Sequence, residues 1–345
     1  MQIVFDTAQL GHQPTGFLVR GQRQPCPEIP ARALVLKEAA ESHGHRLVAP
    51  LSYGAGPRAA VHTPRYLRFL ETAHERWQSL PGASAEVIPN VHPNGQPAGY
   101  PESVVGQAGY HMADTACPLA AGSWRAIVAS ADTAVHAARL VQGGAPTAYA
   151  LCRPPGHHAF ADMAGGFCYL NNCAIAATDL RRQAARVAIL DVDLHHGNGT
   201  QGIFYARADV LTVSIHADPS NFYPFFWGHA SERGEGAGEG YNLNLPLALG
   251  SGDEPFLAAL ERGFTEIRSY APEALVVALG LDAFQGDPLA GLKVTTQGFE
   301  EICRRIGALK LPTVLVQEGG YPSPELGRNL VASLKGFEVG RAGSG

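Results

Sequence analysis

From Val187 onward the chain alternates unbroken apolar runs with stretches whose apolar residues recur every three or four positions. The runs are "RVAILDVD", "VLTVSIHAD", "ALVVALGLDAF" and "PTVLVQEGGY"; the stretches are "TQGIFYARAD", "EPFLAALERGFTEIRSYA" and "QGFEEICRRIGAL". An apolar run with no polar face predicts a strand buried on both sides, and the longer periodicity predicts an amphipathic helix. Their alternation predicts an α/β fold with a mostly parallel central sheet and helices on both faces.

The first half is less regular. "MQIVFD" reads as a strand, and "RALVLKEAAESHG" as a helix that ends at glycine. "VHTPRYLRFLETAHERWQSL" predicts a second helix, with Pro64 near its start and Tyr66, Leu67 and Leu70 on its apolar face. "AIVASADTAVHAARLVQGG" is again helical, followed by the apolar run "TAYALC", the broken segment "RPPGHHAF" and the helical "NNCAIAATDLRRQ". Between them, from about 81 to 122, Pro, Gly and His accumulate. An excursion that long inside a compact protein is more often a binding or oligomer element than filler. With no internal repeat, low-complexity block or linker, the expectation is one domain over 1–345.

Composition narrows the class. Of 345 residues, 46% are hydrophobic and 17% charged, which suits a compact, loop-rich enzyme and excludes a disordered or coiled-coil chain. The formal net charge of -5, without a dense Lys/Arg run, argues against nucleic acid as a partner. Cys26, Cys117, Cys152, Cys168, Cys173 and Cys303 lack CxxC spacing and read as free thiols of a reducing compartment. No leader pattern and no long apolar segment is present, so the expectation is a soluble cytoplasmic protein with no membrane partner.

Each apolar run ends in polar chemistry: Asp191 and Asp193, then Ser214 and His216, then Asp282, then Glu318 and Tyr321. Ligands of open parallel sheets bind outside the carboxyl ends of the strands, so these residues can converge. A solitary DxH is usually a satisfied strand end. Here Asp193 and His195, joined by Asp282, form a plausible three-residue shell for zinc, with Fe(II) or Co(II) as alternatives, leaving positions open for water and substrate. Asp191 is free to orient one histidine of "GHH", and Asn198 the other. The phenol of Tyr321, after two glycines, is placed to stabilise an oxyanion.

The segments "RPPGHH", "GGFCYLNN", "ILDVDLHHGNGTQ", "LTVSIH", "GLDAF" and "QEGGY", in this order between about Phe5 and Leu330, resemble the histone deacetylase superfamily, in the bacterial branch that includes acetylpolyamine amidohydrolases. The resemblance implies a single-domain arginase/deacetylase-like fold that hydrolyses N-acetyl amides. It makes Asp193, His195 and Asp282 the zinc ligands and His157 and His158 the tandem histidines. Asp191 would stand behind His157 and Asn198 behind His158, with Tyr321 as oxyanion donor. Gly166, Phe167 and Tyr223 would line the acyl-amine channel. Structural potassium is implied at Asp191, Asp193, His195, Ser214 and Ile215, and at Phe204, Arg207, Val210 and Tyr241.

The insertion at about 81–122 is similar to one that shapes the entrance and the homodimer interface in that branch. A narrow entrance favours a small acetylated amine, with Asp114, Glu102 and the acids of "SERGEGAGEG" as candidate contacts. Ala116 stands about where the branch has a glutamate, which points toward shorter or different acyl-amines. Three alternatives differ in class: a deacetylase of acetyl-lysine peptides or other small amides, an arginase-like ureohydrolase, and a non-enzymatic acyl-amine sensor. The ureohydrolase needs paired DxD ligands where this chain has "LDAFQGD", and the sensor would not need every ligand, both histidines and Tyr321.

Overall fold

A computed structural model describes residues 1–93 and 98–343. Among the described residues there are ten strands: β1 (Gln2–Val4), β2 (Gly16–Val19), β3 (Gln22–Pro25), β4 (Arg46–Val48), β5 (Thr147–Ala150), β6 (Val187–Asp191), β7 (Val210–Ala217), β8 (Asn242–Leu247), β9 (Ala274–Leu279) and β10 (Thr313–Gln317). Eight form one sheet in the order β4-β1-β5-β10-β9-β6-β7-β8, and its pairings are parallel. β2 and β3 form a separate antiparallel hairpin.

The apolar runs divide between two cores by parity. Ala188 and Leu190 of β6, with Leu275, Val277 and Leu279 of β9, pack on one face against helices Pro30–Ser42, Asp253–Tyr270, Thr296–Gly307 and Leu326–Ala342. Val187 and Ile189, with Ala274, Val276 and Ala278, pack on the other face against helices Ser123–Gln142 and Asn172–Leu180. Successive side chains of a strand point to opposite faces, so a strand covered on both sides must be apolar at every position.

The second predicted helix is Pro64–Gln78. Thr63 caps it, its side chain accepting from the Tyr66 N–H, and Pro64 occupies the first turn. Its apolar face, including Tyr66, Phe69 and Leu70, packs on the excursion through Val104, Ala108 and Met112. That excursion contains an eight-residue helix, Val104–His111, and a bridge between Val87 and Leu119. Its residues 94–97 lie outside the described residues.

Three elements depart from the sequence expectations. β8, "NLNLPL", carries asparagines at alternate positions, yet Asn242 and Asn244 are buried, their side-chain NH2 groups donating to Gln201 and Glu232. β2 and β3 are mostly exposed and so lack an apolar face to read. The C-terminal helix Leu326–Ala342 extends past the last recognised motif. Among the described residues no helix is long and apolar enough to cross a membrane. All six cysteines are free and buried.

Candidate active site

Four neighbouring strands of the sheet, β5, β10, β9 and β6, end side by side. The chain leaves β5 toward His157 and His158, β6 toward Asp193 and His195, β9 toward Asp282, and β10 toward Glu318 and Tyr321. Strand order therefore gathers residues that are far apart in sequence.

Asp193, His195 and Asp282 are buried, and one donor atom from each lies within 4.8 Å of the others. His195 Nδ1 is 3.3 Å from Asp193 Oδ1 and 3.1 Å from Asp282 Oδ2. Backbone amides hold the carboxylates: His195 N–H and Gly319 N–H donate to Asp193, and Leu194 N–H donates to Asp282. A Cβ at Gly319 would collide with Asp282 Oδ2 and stand 2.6 Å from Asp193 Oδ2, and one at Gly280 would collide with Asp193. The cradle thus depends on glycine at both positions.

The electrostatics of this trio favour a cation. Burial, then the neighbouring charge of Asp193, raises the Asp282 carboxyl above its usual range. Against burial, hydrogen bonds to Asp193 and Asp282 push His195 up to about 9. Two buried carboxylates around one imidazole carry negative charge in excess, which a divalent ion of first-row type would balance, taking the place of the proton on the imidazole. A second group, His157, Cys168 and Glu318, also has donor atoms close together. There the Glu318 oxygens already accept from Gly156 N–H, His157 N–H and Cys173 S–H, and burial pushes the Cys168 thiol far up. That group is a hydrogen-bonded support.

The tandem rings are 4.0 Å apart, and their partners differ. His157 Nδ1 is 2.9 Å from Asp191 Oδ2, whereas His158 Nδ1 is 2.7 Å from Asn198 Oδ1. Burial opposes charge on His157, but Asp193 and Asp191 outweigh it and raise this imidazole to about 10. Burial, together with positive charge at His157 and His195, drives His158 well below its ordinary value. The two rings thus sit in different surroundings, His157 beside a carboxylate and His158 beside a neutral amide.

Tyr321 is 3% exposed. Its ring lies edge-on to Phe167 at 5.7 Å and under the Arg32 guanidinium at 5.2 Å. Burial keeps its phenol far above the usual range, so the hydroxyl remains a donor. Its backbone N–H donates to Asp287 Oδ2 at 2.9 Å.

These groups face a cleft of about 430 Å³, with His158, His195 and Tyr321 at its base and Phe17, Phe167, Phe222, Tyr223 and Leu289 along its walls. Phe167 has a φ of 69° and follows Gly166 at 51°. A Cβ at Gly166 would fall 2.5 Å from His158 Cδ2. Asp114 lines the cleft, but its carboxylate is engaged by Tyr223 O–H at 2.7 Å, Gly166 N–H at 3.2 Å and Ala116 N–H at 2.8 Å.

Two acidic candidates lie elsewhere. Glu102 is exposed and absent from the cleft lining, its backbone carbonyl accepting from Arg76 and Gln107. In "SERGEGAGEG", Glu232 turns inward to Gln201, Gly228 N–H and Asn244, and none of that segment's acids lines the cleft. Charge in an irregular segment carries no signal of direction, so sequence placed these residues at the mouth without a physical constraint.

Asp191 pairs with Ser214 across β6 and β7, and Ile215 is next along β7. Val210 begins β7, while the Phe204 carbonyl accepts from Arg207 N–H and the Tyr241 carbonyl from Thr212 N–H. Asp287 and Arg32 were not marked by sequence, and Glu318 was marked only as a polar strand end. Buried acids within "QGDP" and "QEGGY" were the available signal.

Together, the parallel sheet, the Asp-His-Asp trio and the tandem histidines define a class. Residues 27–337 match the histone deacetylase domain, and the chain belongs to the histone deacetylase family. Within that family it is 48% identical over 341 residues to the acetylpolyamine amidohydrolase of Burkholderia pseudomallei, covering 98% of each chain. It is 39% identical over 339 residues to the acetylpolyamine amidohydrolase of Mycoplana ramosa, covering 97% of this chain and 99% of that one. A crystal structure of the acetylpolyamine aminohydrolase from Burkholderia pseudomallei superposes with a TM-score of 0.95, at 48% identity and 98% coverage of both chains.

Proposed function

We propose that this chain hydrolyses the N-acetyl amide of acetylated polyamines or related small acyl-amines, releasing acetate and the free amine. The observation that carries this reading is the pairing of differently supported histidines with the Asp193, His195 and Asp282 trio at the base of an apolar cleft. Similarity to acetylpolyamine amidohydrolases over nearly the whole chain supports the substrate class.

Asp193, His195 and Asp282 would hold zinc, or alternatively Fe2+ or Co2+; when bound, the ion supplies Lewis acidity toward the acyl carbonyl and the attacking water. His158, kept neutral, takes the water proton, and Asn198 fixes its ring. The histidine pair then returns that proton to the leaving amine nitrogen, with Asp191 fixing the ring of His157. Tyr321 O–H donates to the developing oxyanion. Gly166, Phe167 and Tyr223 bound the channel, and Asp114 positions its Tyr223 wall.

The same reading includes structural potassium at Asp191, Asp193, His195, Ser214 and Ile215 and at Phe204, Arg207, Val210 and Tyr241. It includes a homodimer shaped by the 81–122 excursion, and a cytoplasmic location consistent with six unpaired buried thiols. The test is turnover by zinc-reconstituted protein of N-acetylputrescine, N-acetylcadaverine, N8-acetylspermidine and an acetyl-lysine peptide. Amine turnover exceeding peptide turnover is expected. Preferential peptide turnover would favour the alternative deacetylase, and no turnover of any member would remove the amidase reading.

A further inference from the structure

The cleft says something about the far end of its substrate. Apart from the histidines at its base, its lining carries charge at Asp114 and Arg20. Asp114 faces the wall, its oxygens accepting from Gly166 N–H, Ala116 N–H and Tyr223 O–H. Arg20 is exposed and makes no ion pair among the described residues.

Arg20 is held at the rim by its turn. β2 and β3 pair Val19 with Gln22, so Arg20 and Gly21 form a two-residue hairpin loop, both with positive φ, at 51° and 77°. The hairpin is fastened to the rest of the mouth at two points. The Phe17 ring meets Phe167 edge-on at 5.3 Å, and Leu18 N–H donates to Thr115 Oγ1 at 3.2 Å. The cleft lining therefore combines a polar reaction centre, aromatic and aliphatic walls, one engaged carboxylate and an exposed guanidinium with no ion pair among the described residues.

We propose that Arg20 is a specificity-determining residue that selects against acyl-amines bearing more than one ammonium beyond the amide. A single ammonium near the aromatic walls and Asp114 is stabilised by ring faces and by a nearby negative charge. A second one, farther out, meets the guanidinium at the rim, where like charges repel through water. The preferred substrate is then a mono-acetylated short diamine rather than an acetylated tri- or tetra-amine. This inference rests on the amide-hydrolase reading of the same site.

The experiment compares kcat/KM for N8-acetylspermidine and N-acetylputrescine in wild type, Arg20→Gln and Arg20→Glu. The ratio of the longer to the shorter substrate is expected to rise in Arg20→Gln, and by on the order of tenfold in Arg20→Glu at low ionic strength. The rise should collapse at ~1 M salt, where the screening length falls to about 3 Å. A ratio equal to that of wild type in Arg20→Glu, or a change that salt leaves untouched, would overturn the electrostatic role. Wild-type protein inert toward both substrates would remove the amidase reading itself, an outcome distinguishable from unchanged selectivity.

Discussion

The Nδ1 of His158 lies 2.7 Å from Oδ1 of Asn198, an amide where the neighbouring His157 has a carboxylate at 2.9 Å. A neutral acceptor fixes the ring without stabilising the imidazolium, while burial holds His158 neutral. Replacing Asn198 with Asp adds that missing charge. The base form of His158 then appears only at higher pH, so the acid limb of the kcat/KM profile for Asn198→Asp should move upward by about one unit. An unmoved limb would show that His158 is not the group titrating there.

Tyr321 is tied to Asp287 through its backbone N–H. Tyr321→Phe should lower kcat by about 10²–10³ with a small change in KM, as loss of an oxyanion donor does. Asp287 accepts Tyr321 N–H through Oδ2 and Leu289 N–H through Oδ1, and an asparagine keeps one of these acceptors. Asp287→Asn should lower kcat by about tenfold in wild type and much less in the Tyr321→Phe background. Equal losses in both backgrounds would mean that Asp287 acts elsewhere.

The metal cradle is tested by a methyl group. A Cβ at position 319 would meet carboxylate oxygens of both Asp282 and Asp193. Gly319→Ala should therefore lose bound zinc, measured by elemental analysis after dialysis, along with activity. Far-UV circular dichroism should stay close to wild type, because Gly319 lies outside the strands and helices. Full zinc occupancy would place the ion away from these ligands.

Glu318 links the loop of His157 and His158 to the strand end, and its burial raises its pKa from 4.5 to about 7. Between those values the folded chain keeps a proton that the unfolded chain has released. This residue therefore favours the fold fully below pH ~4.5 and progressively less as pH rises to ~7. In Glu318→Gln the amide oxygen still accepts from Gly156 and His157, and its NH2 faces Cys173 Sγ. The Tm of the variant relative to wild type should climb by a few degrees between about pH 5 and about pH 8. A difference that stays flat would mean Glu318 is ionised throughout.

Much of the site was legible because its signals are local. A run such as "VAIL" must be a strand covered on both faces, and the polar residues that follow it must lie at the carboxyl edge of the sheet. The supports of those residues were not legible. Glu318 reaches the Gly156 amide across 162 positions, and Arg32 contacts the Gly320 carbonyl across 288. No spacing rule encodes such pairs.

The sequence by itself determined β1, β5, β6, β7, β9 and β10, most of the helices that cover them and the chemical identities gathered at the strand ends, because side-chain period and turn residues act over a few neighbouring positions. Only the tertiary structure decided what each acid does. The order β5-β10-β9-β6 brings Asp193, His195 and Asp282 together. Packing turns Asp114 to Tyr223 and Glu232 to Gln201, and leaves Arg20 at the rim. The direction of a charged side chain depends on which donors the fold places beside it, and those donors come from distant segments.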